Sequence, residues 1–170
     1  AYQAEVVLLN VQGGRMDQYT IAMDKIIYMA TYPEISIQSL PSILGDFVLG
    51  DSMEVKNTQA QLRRCKESRI KLFKHLKEID PKFSIHTIQC KDTGDYRSEL
   101  NKMEIELLSG TIHNRDLLLE GKNILLSSNP DYKGIGELLT EEHIILRDIL
   151  QVSTPKLDYL LKIAHDAGAA

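Results

Sequence analysis

The stretch Gly13-Gly14-Arg15-Met16-Asp17-Gln18-Tyr19 separates two apolar runs, Val6-Val7-Leu8-Leu9 and Ile26-Ile27-Tyr28-Met29. Paired glycines open backbone conformations that other residues avoid. The polar trio Arg15, Asp17 and Gln18 follows at once. An acid and a base shown on a turn between buried elements is a common setting for chemistry. The same residues also fit a plain turn in which Asp17 caps a helix starting at Gln18. Seven residues do not choose between the two.

Working outward, local propensity favours a strand in Val6–Leu9. The Ala-rich start of Ala1–Asn10 equally fits the tail of a buried helix, and ten residues are too few for periodicity to decide. Downstream, Lys25–Thr31 and Glu34–Leu40 read as strands. In the second, Ile35 and Ile37 alternate with Ser36 and Gln38, and Pro33 and Pro41 bracket it. Phe47-Val48-Leu49 reads as a third short strand that ends in the polar loop Gly50-Asp51-Ser52. From Lys56 the pattern turns helical. A cap at Asn57 or Thr58 opens a helix running to about Ile79, with Leu62, Cys65, Ile70, Phe73 and Leu76 as its apolar positions, and Asp80-Pro81 stops it.

Phe83–Cys90 fits a short strand or an irregular loop. Helices are then expected over Arg97–Leu108, over Thr111–Ser127 after a break at Ser109-Gly110, and from Asp131 or Tyr132 to Leu150. Thr154 caps a last helix with Pro155 in its first turn. Leu157, Leu160, Leu161 and Ala164 share one face of it, and Gly168 suits its end. Strands in the first third and helices after them make an α+β pattern.

The chain's 170 residues suffice for one domain with a sizeable core or for two small lobes. A net charge of -4 gives no case for a nucleic-acid polymer or an anionic membrane as partner. Cys65 and Cys90 make no disulfide framework, so a cytoplasmic location is expected. No apolar run approaches the roughly 20 residues of a membrane span, and no signal peptide is visible. The chain starts at Ala1 with ordered-looking sequence already under way and stops just past a helix-ending pattern, so both ends read as cut from something longer.

Four pieces of the sequence together resemble the GHMP kinase superfamily, and galactokinase-like sugar kinases most closely. They are Gly14-Arg15-Met16-Asp17-Gln18-Tyr19; Gly50-Asp51-Ser52 through Thr58 with Leu62-Arg63-Arg64-Cys65; Thr111–Leu126 with Asn114-Arg115-Asp116; and Glu142-His143-x-x-Leu146-Arg147-Asp148 followed by Val152-Ser153-x-Pro155-x-Leu157-Asp158. The last is the most specific, because its residues recur in order and at matching spacing. The resemblance implies that Ala1–Leu9 is the tail of a helix. It implies that 1–40 is the end of an N-terminal, catalytic lobe and 41–170 an incomplete C-terminal kinase domain. It implies transfer of the terminal phosphoryl group of ATP, with Mg²⁺, to the hydroxyl of a small sugar or sugar phosphate. Asp17 would then be the catalytic base or polarise that hydroxyl, with Arg15 lending electrostatic help. Gly14, Asp51 and Ser52 would be the substrate-binding residues. Phosphoryl transfer demands positioning and charge neutralisation above all, which suits those residue types.

The family's Gly/Ser-rich phosphate loop would lie before Ala1 and its last glycine-rich motif after Ala170. Neither Gly13-Gly14 nor Gly134-x-Gly136 makes a phosphate-cradling loop. The chain as it stands is thus expected to bind ATP poorly and to be inactive alone. The stretch Asn57–Leu62 lacks the Tyr that galactokinases carry there, so the resemblance leaves the sugar open. The runner-up is a non-catalytic homologue that binds sugar or nucleotide and regulates a partner. No metal site is expected: His86 and Cys90 lack a second ligand pair, and Asp92–Asp95 lacks calcium-loop spacing. Arg63-Arg64 reads as a solvated helix start, His143 as a packed or exposed helix residue, and Arg147 with Asp148 as a structural pair.

Overall fold

The computed structural model describes residues 2–9, 14–41, 48–55 and 58–169, the side chains of Glu5 and Thr58 excepted. Gln3–Leu8 is helical, and its closing bond runs from the Leu9 N–H to the Ala4 carbonyl at 3.1 Å. That spacing is wider than an α-helix makes. The helix implied by the resemblance thus prevails over local strand propensity. Helix α1, Met16–Met23, follows and ends at Asp24 in the left-handed region with φ 49°.

Strands β1, Ile27–Ala30, and β2, Ser36–Ser39, form an antiparallel hairpin with Ile27 opposite Ser39 and Ala30 opposite Ser36. The cis Tyr32-Pro33 bond lies in the connection between them. Two ring contacts fasten the hairpin to the rest of the fold, one to a turn and one to a helix further along the chain. Tyr32 stacks on His86 at 4.2 Å between ring centroids, and the Lys122 ammonium stands 3.9 Å from the centre of the Tyr28 ring. The expected third strand is absent at Val48 and Leu49, each 97% exposed, while Phe47 lies outside the described residues. Apolar, strand-favouring side chains form a strand only on a half-buried pleated surface with a neighbour to pair with.

Helix α2 spans Thr58–Ile79, and α3 spans Lys102–Leu126. Phe83–Cys90 settles as turns, not a strand, and a tight helical segment Cys90–Tyr96 leads on toward α3. Asn101 sets the start of α3. Its side chain accepts the Glu104 N–H at 3.1 Å while Glu104 accepts the Asn101 N–H at 3.0 Å. This reciprocal cap satisfies two orphan donors and places the helix start beyond the expected Arg97. The expected break at Ser109-Gly110 does not occur, since α3 passes through it. Gly110 is buried, and a Cβ there would stand 2.6 Å from Ile149 Cδ1. The glycine serves close packing rather than a turn.

Helix α4, Tyr132–Ile144, is capped by Asp131 Oδ1, which accepts the Gly134 N–H at 3.0 Å, and it continues into a wider turn over Ile145–Ile149. Helix α5, Pro155–Asp166, starts as expected: Thr154 Oγ1 accepts the Leu157 N–H at 3.3 Å and Pro155 occupies the first turn. Gly168, with φ 95°, closes it. Of the expected apolar face of α5, Leu157 and Leu160 are half-buried and Leu161 and Ala164 exposed.

The core lies between α2, α3 and the segment joining them. Leu72 and Leu76 of α2 meet Leu108 and Ile112 of α3, with Phe83, Ile88 and Leu100 closing the sides. Each helix thus presents a pair four residues apart, the spacing that aligns side chains on one face. The α+β class is as expected, with strands confined to the first third and helices filling the rest.

Gly110 offers a direct check of this packing. Gly110→Val adds a branched side chain against Ile149 and Ile145, whose methyls stand 3.3 and 3.5 Å from the Cβ position. Overpacking of that kind costs about 1–3 kcal/mol, against roughly 1 kcal/mol or less gained in helix propensity. Urea denaturation of Gly110→Val is expected to show a net loss of stability. A neutral or stabilising result would mean that α3 and the 145–149 turn are not in contact.

Candidate functional site

Helix α1 begins at Met16, and Arg15 occupies the cap position without a side-chain cap bond. Asp17 is therefore not a cap. It stands inside the first turn, where the N-terminal end of the helix favours negative charge. Its carboxylate is exposed, and among the described residues no hydrogen bond or ion pair holds it. Arg15 is turned away onto the Tyr2 ring, with its guanidinium carbon 4.6 Å from the ring centre. Gly14 is exposed with nothing within 4 Å of where a Cβ would stand. Gly13 lies outside the described residues.

Asp51 and Ser52 sit in an irregular loop, each bound to backbone two residues on. Asp51 Oδ1 accepts the Met53 N–H at 2.7 Å, and Ser52 Oγ lies 3.4 Å from the Glu54 nitrogen. Met53 takes φ 56°, a left-handed conformation that bends the loop sharply. Asp51 is exposed and Ser52 half-buried. Glu54 then reaches the far end of the sequence, where its carboxylate accepts the Thr154 hydroxyl. The loop is bonded locally and to Thr154, whereas Arg15 at the start of α1 rests on Tyr2.

The fourth family-like piece folds into one polar corner. His143 Nε2 lies 2.9 Å from Asp158 Oδ1, and Ser153 Oγ donates to the same oxygen at 2.7 Å. Those two bonds hold Asp158 below the ordinary carboxylate range, the Ser153 bond contributing most. A serine, a histidine and an aspartate meet here, yet both partners bond the carboxylate and neither bonds the other. No base is poised to activate the serine, so the cluster is not a nucleophile site. Its effect is to tie the 152–155 turn to α4 and α5. Arg147 and Asp148 form the expected pair, with contacts of 2.7 and 2.9 Å, each group shifting the other toward its charged form. A cleft of about 490 Å³ opens beside them, lined by Leu139, Ile144, Leu161, His143 and Asp158 among others.

Sequence reasoning missed one contact here. Arg63 and Arg64 are exposed, as expected, but Arg64 also donates to the Leu150 carbonyl at 2.7 Å and the Gln151 carbonyl at 3.0 Å. Only the doublet Arg63-Arg64, on the family-like segment, singled it out.

Among the described residues no group of three potential metal ligands occurs. Gly134 and Gly136 lie inside α4, where the Gly134 N–H is already spent on Asp131.

Comparison with known proteins agrees with the resemblance read from the sequence. The chain is 26% identical over 176 aligned positions to a galactokinase from Thermotoga maritima, and 25% identical over 172 to one from Clostridium tetani. These alignments cover 95% and 94% of the chain but 45% and 42% of those proteins. The chain thus spans about half the length of the curated relatives it matches, and it is galactokinase-like in sequence. No family model matches it, and no solved structure matches it significantly.

The polar corner carries a pH signature. Asp158 has a folded pKa below its ordinary value near 3.8, so it binds protons less readily folded than unfolded. The stability it contributes is fully present above about pH 4 and disappears as pH falls through the folded pKa. Asp158→Asn is expected to destabilise the protein at pH 7, with the gap to the parent narrowing as pH falls through the folded pKa of the carboxylate, as read by urea midpoints. A pH-independent gap would assign the loss to packing rather than to the carboxylate.

Proposed function

We propose that this chain forms the sugar-facing part of a galactokinase-like kinase. In this reading the whole protein transfers the terminal phosphoryl group of ATP, with Mg²⁺, to a hydroxyl of a sugar or sugar phosphate. Residues 1–40 belong to the catalytic lobe and 41–170 to the second lobe. The described residues serve the acceptor side of the reaction. Asp17 takes the proton of the sugar hydroxyl as its oxygen attacks phosphorus, and Arg15 steadies the negative charge nearby. Gly14 leaves room for the substrate, and Asp51 and Ser52 contact the sugar.

One observation carries the reading: the Asp17 carboxylate, in the first turn of α1, is exposed and held by no described residue. A general base must have its oxygens within hydrogen-bond reach of the proton it removes. A carboxylate already bonded to its own backbone, as Asp51 is through one oxygen, has less of that capacity. The galactokinase matches support the substrate class, and phosphoryl transfer needs little more from the protein than positioned charge.

Asp17→Asn keeps the shape and removes both the proton acceptor and the charge. In the whole protein, kcat for the sugar is expected to fall about 10²–10⁴-fold. Sugar KM should change far less, because the lost interaction belongs to the transition state. Near-native kcat in a folded Asp17→Asn protein would remove Asp17 from the mechanism. Sugar binding without turnover in the parent would favour the non-catalytic regulator instead.

A further inference from the structure

We propose that Glu54 is a positioning residue for the sugar-facing loop, acting through Thr154 at the start of α5. The inference rests on the reading of Asp51 and Ser52 as sugar contacts. The loop holding those two residues has little support of its own. Val48 and Leu49 enter it fully exposed and outside any strand. Among the described residues its internal bonds are the two local ones from Met53 and Glu54, which shape the turn without fixing where it sits. Among them, too, a tie to distant sequence is the Glu54 carboxylate accepting the Thr154 hydroxyl, across 100 positions of chain.

Thr154 is well suited to be that anchor. Its oxygen accepts the Leu157 N–H while its proton goes to Glu54, so one hydroxyl caps the helix and holds the loop together. The turn it stands on is fixed from both sides. Arg64 of α2 grips the Leu150 and Gln151 carbonyls, and Gln151 takes a left-handed φ of 51°. Ser153 and His143 converge on Asp158 from the next residue and from α4. A loop tied to such a turn inherits its position, and substrate contacts are effective only when held in place before binding.

The test uses Glu54→Ala, Glu54→Gln, Thr154→Ser and Asp51→Ala in the whole protein, with two readouts. Amide hydrogen exchange of Met53 and Glu54 reports the loop, and steady-state kinetics report sugar KM and kcat. Glu54→Ala is expected to speed exchange in the loop about tenfold, the scale of a local opening. It should raise sugar KM about tenfold, the scale of a lost charged hydrogen bond, with kcat changing far less. Thr154→Ser keeps the hydroxyl and should stay near the parent, and Glu54→Gln keeps an acceptor without its charge and should fall between the parent and Glu54→Ala. Unchanged exchange in Glu54→Ala would overturn the proposal. So would faster exchange with parental KM while Asp51→Ala still raises KM, since loop position would then not matter to the sugar. If Asp51→Ala also leaves KM unchanged, the reading of this loop as a sugar contact fails, and the positioning role falls with it.

Discussion

The contact between Leu72 and Leu76 of α2 and Leu108 and Ile112 of α3 is the constraint from which the rest of the structure hangs. Leu76, Leu108 and Ile112 retain no exposed surface. Each fully buried aliphatic side chain contributes roughly 1.5–3 kcal/mol, and a typical internal hydrogen bond only about 0.5–1.5 kcal/mol net. The apolar contact therefore decides that the helices pair. The polar bonds decide how the flanking parts sit on them. Arg64 projects from α2 and Lys122 from α3, so the 150–151 turn and the β-hairpin both take their bearings from that packed pair.

The turn after α4 shows how a backbone problem becomes a support. The last carbonyls of a helical segment lack partners within it and carry partial negative charge. Here the Leu150 and Gln151 carbonyls receive a guanidinium from another helix. A cation at a helical C-terminus is favourable on both counts, charge and hydrogen bonding. The chain can then reverse through Gln151 and start α5 at Thr154 without leaving those groups unsatisfied. Gly110 contributes at the same place, since its missing side chain lets α3 approach the 145–149 turn.

What was legible in the sequence divides along the range of the interaction. The Thr154-Pro155 start and Gly168 end of α5, the Asp80-Pro81 stop and the hairpin strands rest on neighbours in sequence, and all were read correctly. The errors lie where distant residues decide. Gly110 looked like a break because Ile149, which makes the glycine necessary, is far along the chain. Arg64 is exposed as expected, but its role as a tie stayed hidden because its acceptors lie 86 and 87 positions away. Val48 and Leu49 looked like a strand because side-chain propensity does not reveal that no strand among the described residues pairs with them. The site divides in the same way. Asp17 and Asp51 were singled out by local motif, whereas the convergence of His143 and Ser153 on Asp158 needed the fold.

The Arg15 arrangement bears on how the α1 site would meet a substrate. A cation over an exposed ring is worth about 0.5–1 kcal/mol, and an exposed ion pair about 0–1 kcal/mol. Resting on Tyr2 and turning back toward Asp17 are therefore nearly equal choices for Arg15, and neither is strongly held. A phosphoryl oxygen changes that balance, because guanidinium–phosphate bonds are charge-assisted and roughly twice as strong as neutral ones. On the proposed reading, an arriving phosphoryl group would draw Arg15 off the ring. In the structure the Tyr2 contact holds the guanidinium over the ring, and the Asp17 carboxylate is exposed. On the proposed reading, an arginine drawn in by the phosphoryl group would stabilise the charged stage of the reaction more than the bound sugar, which is the difference on which catalysis depends.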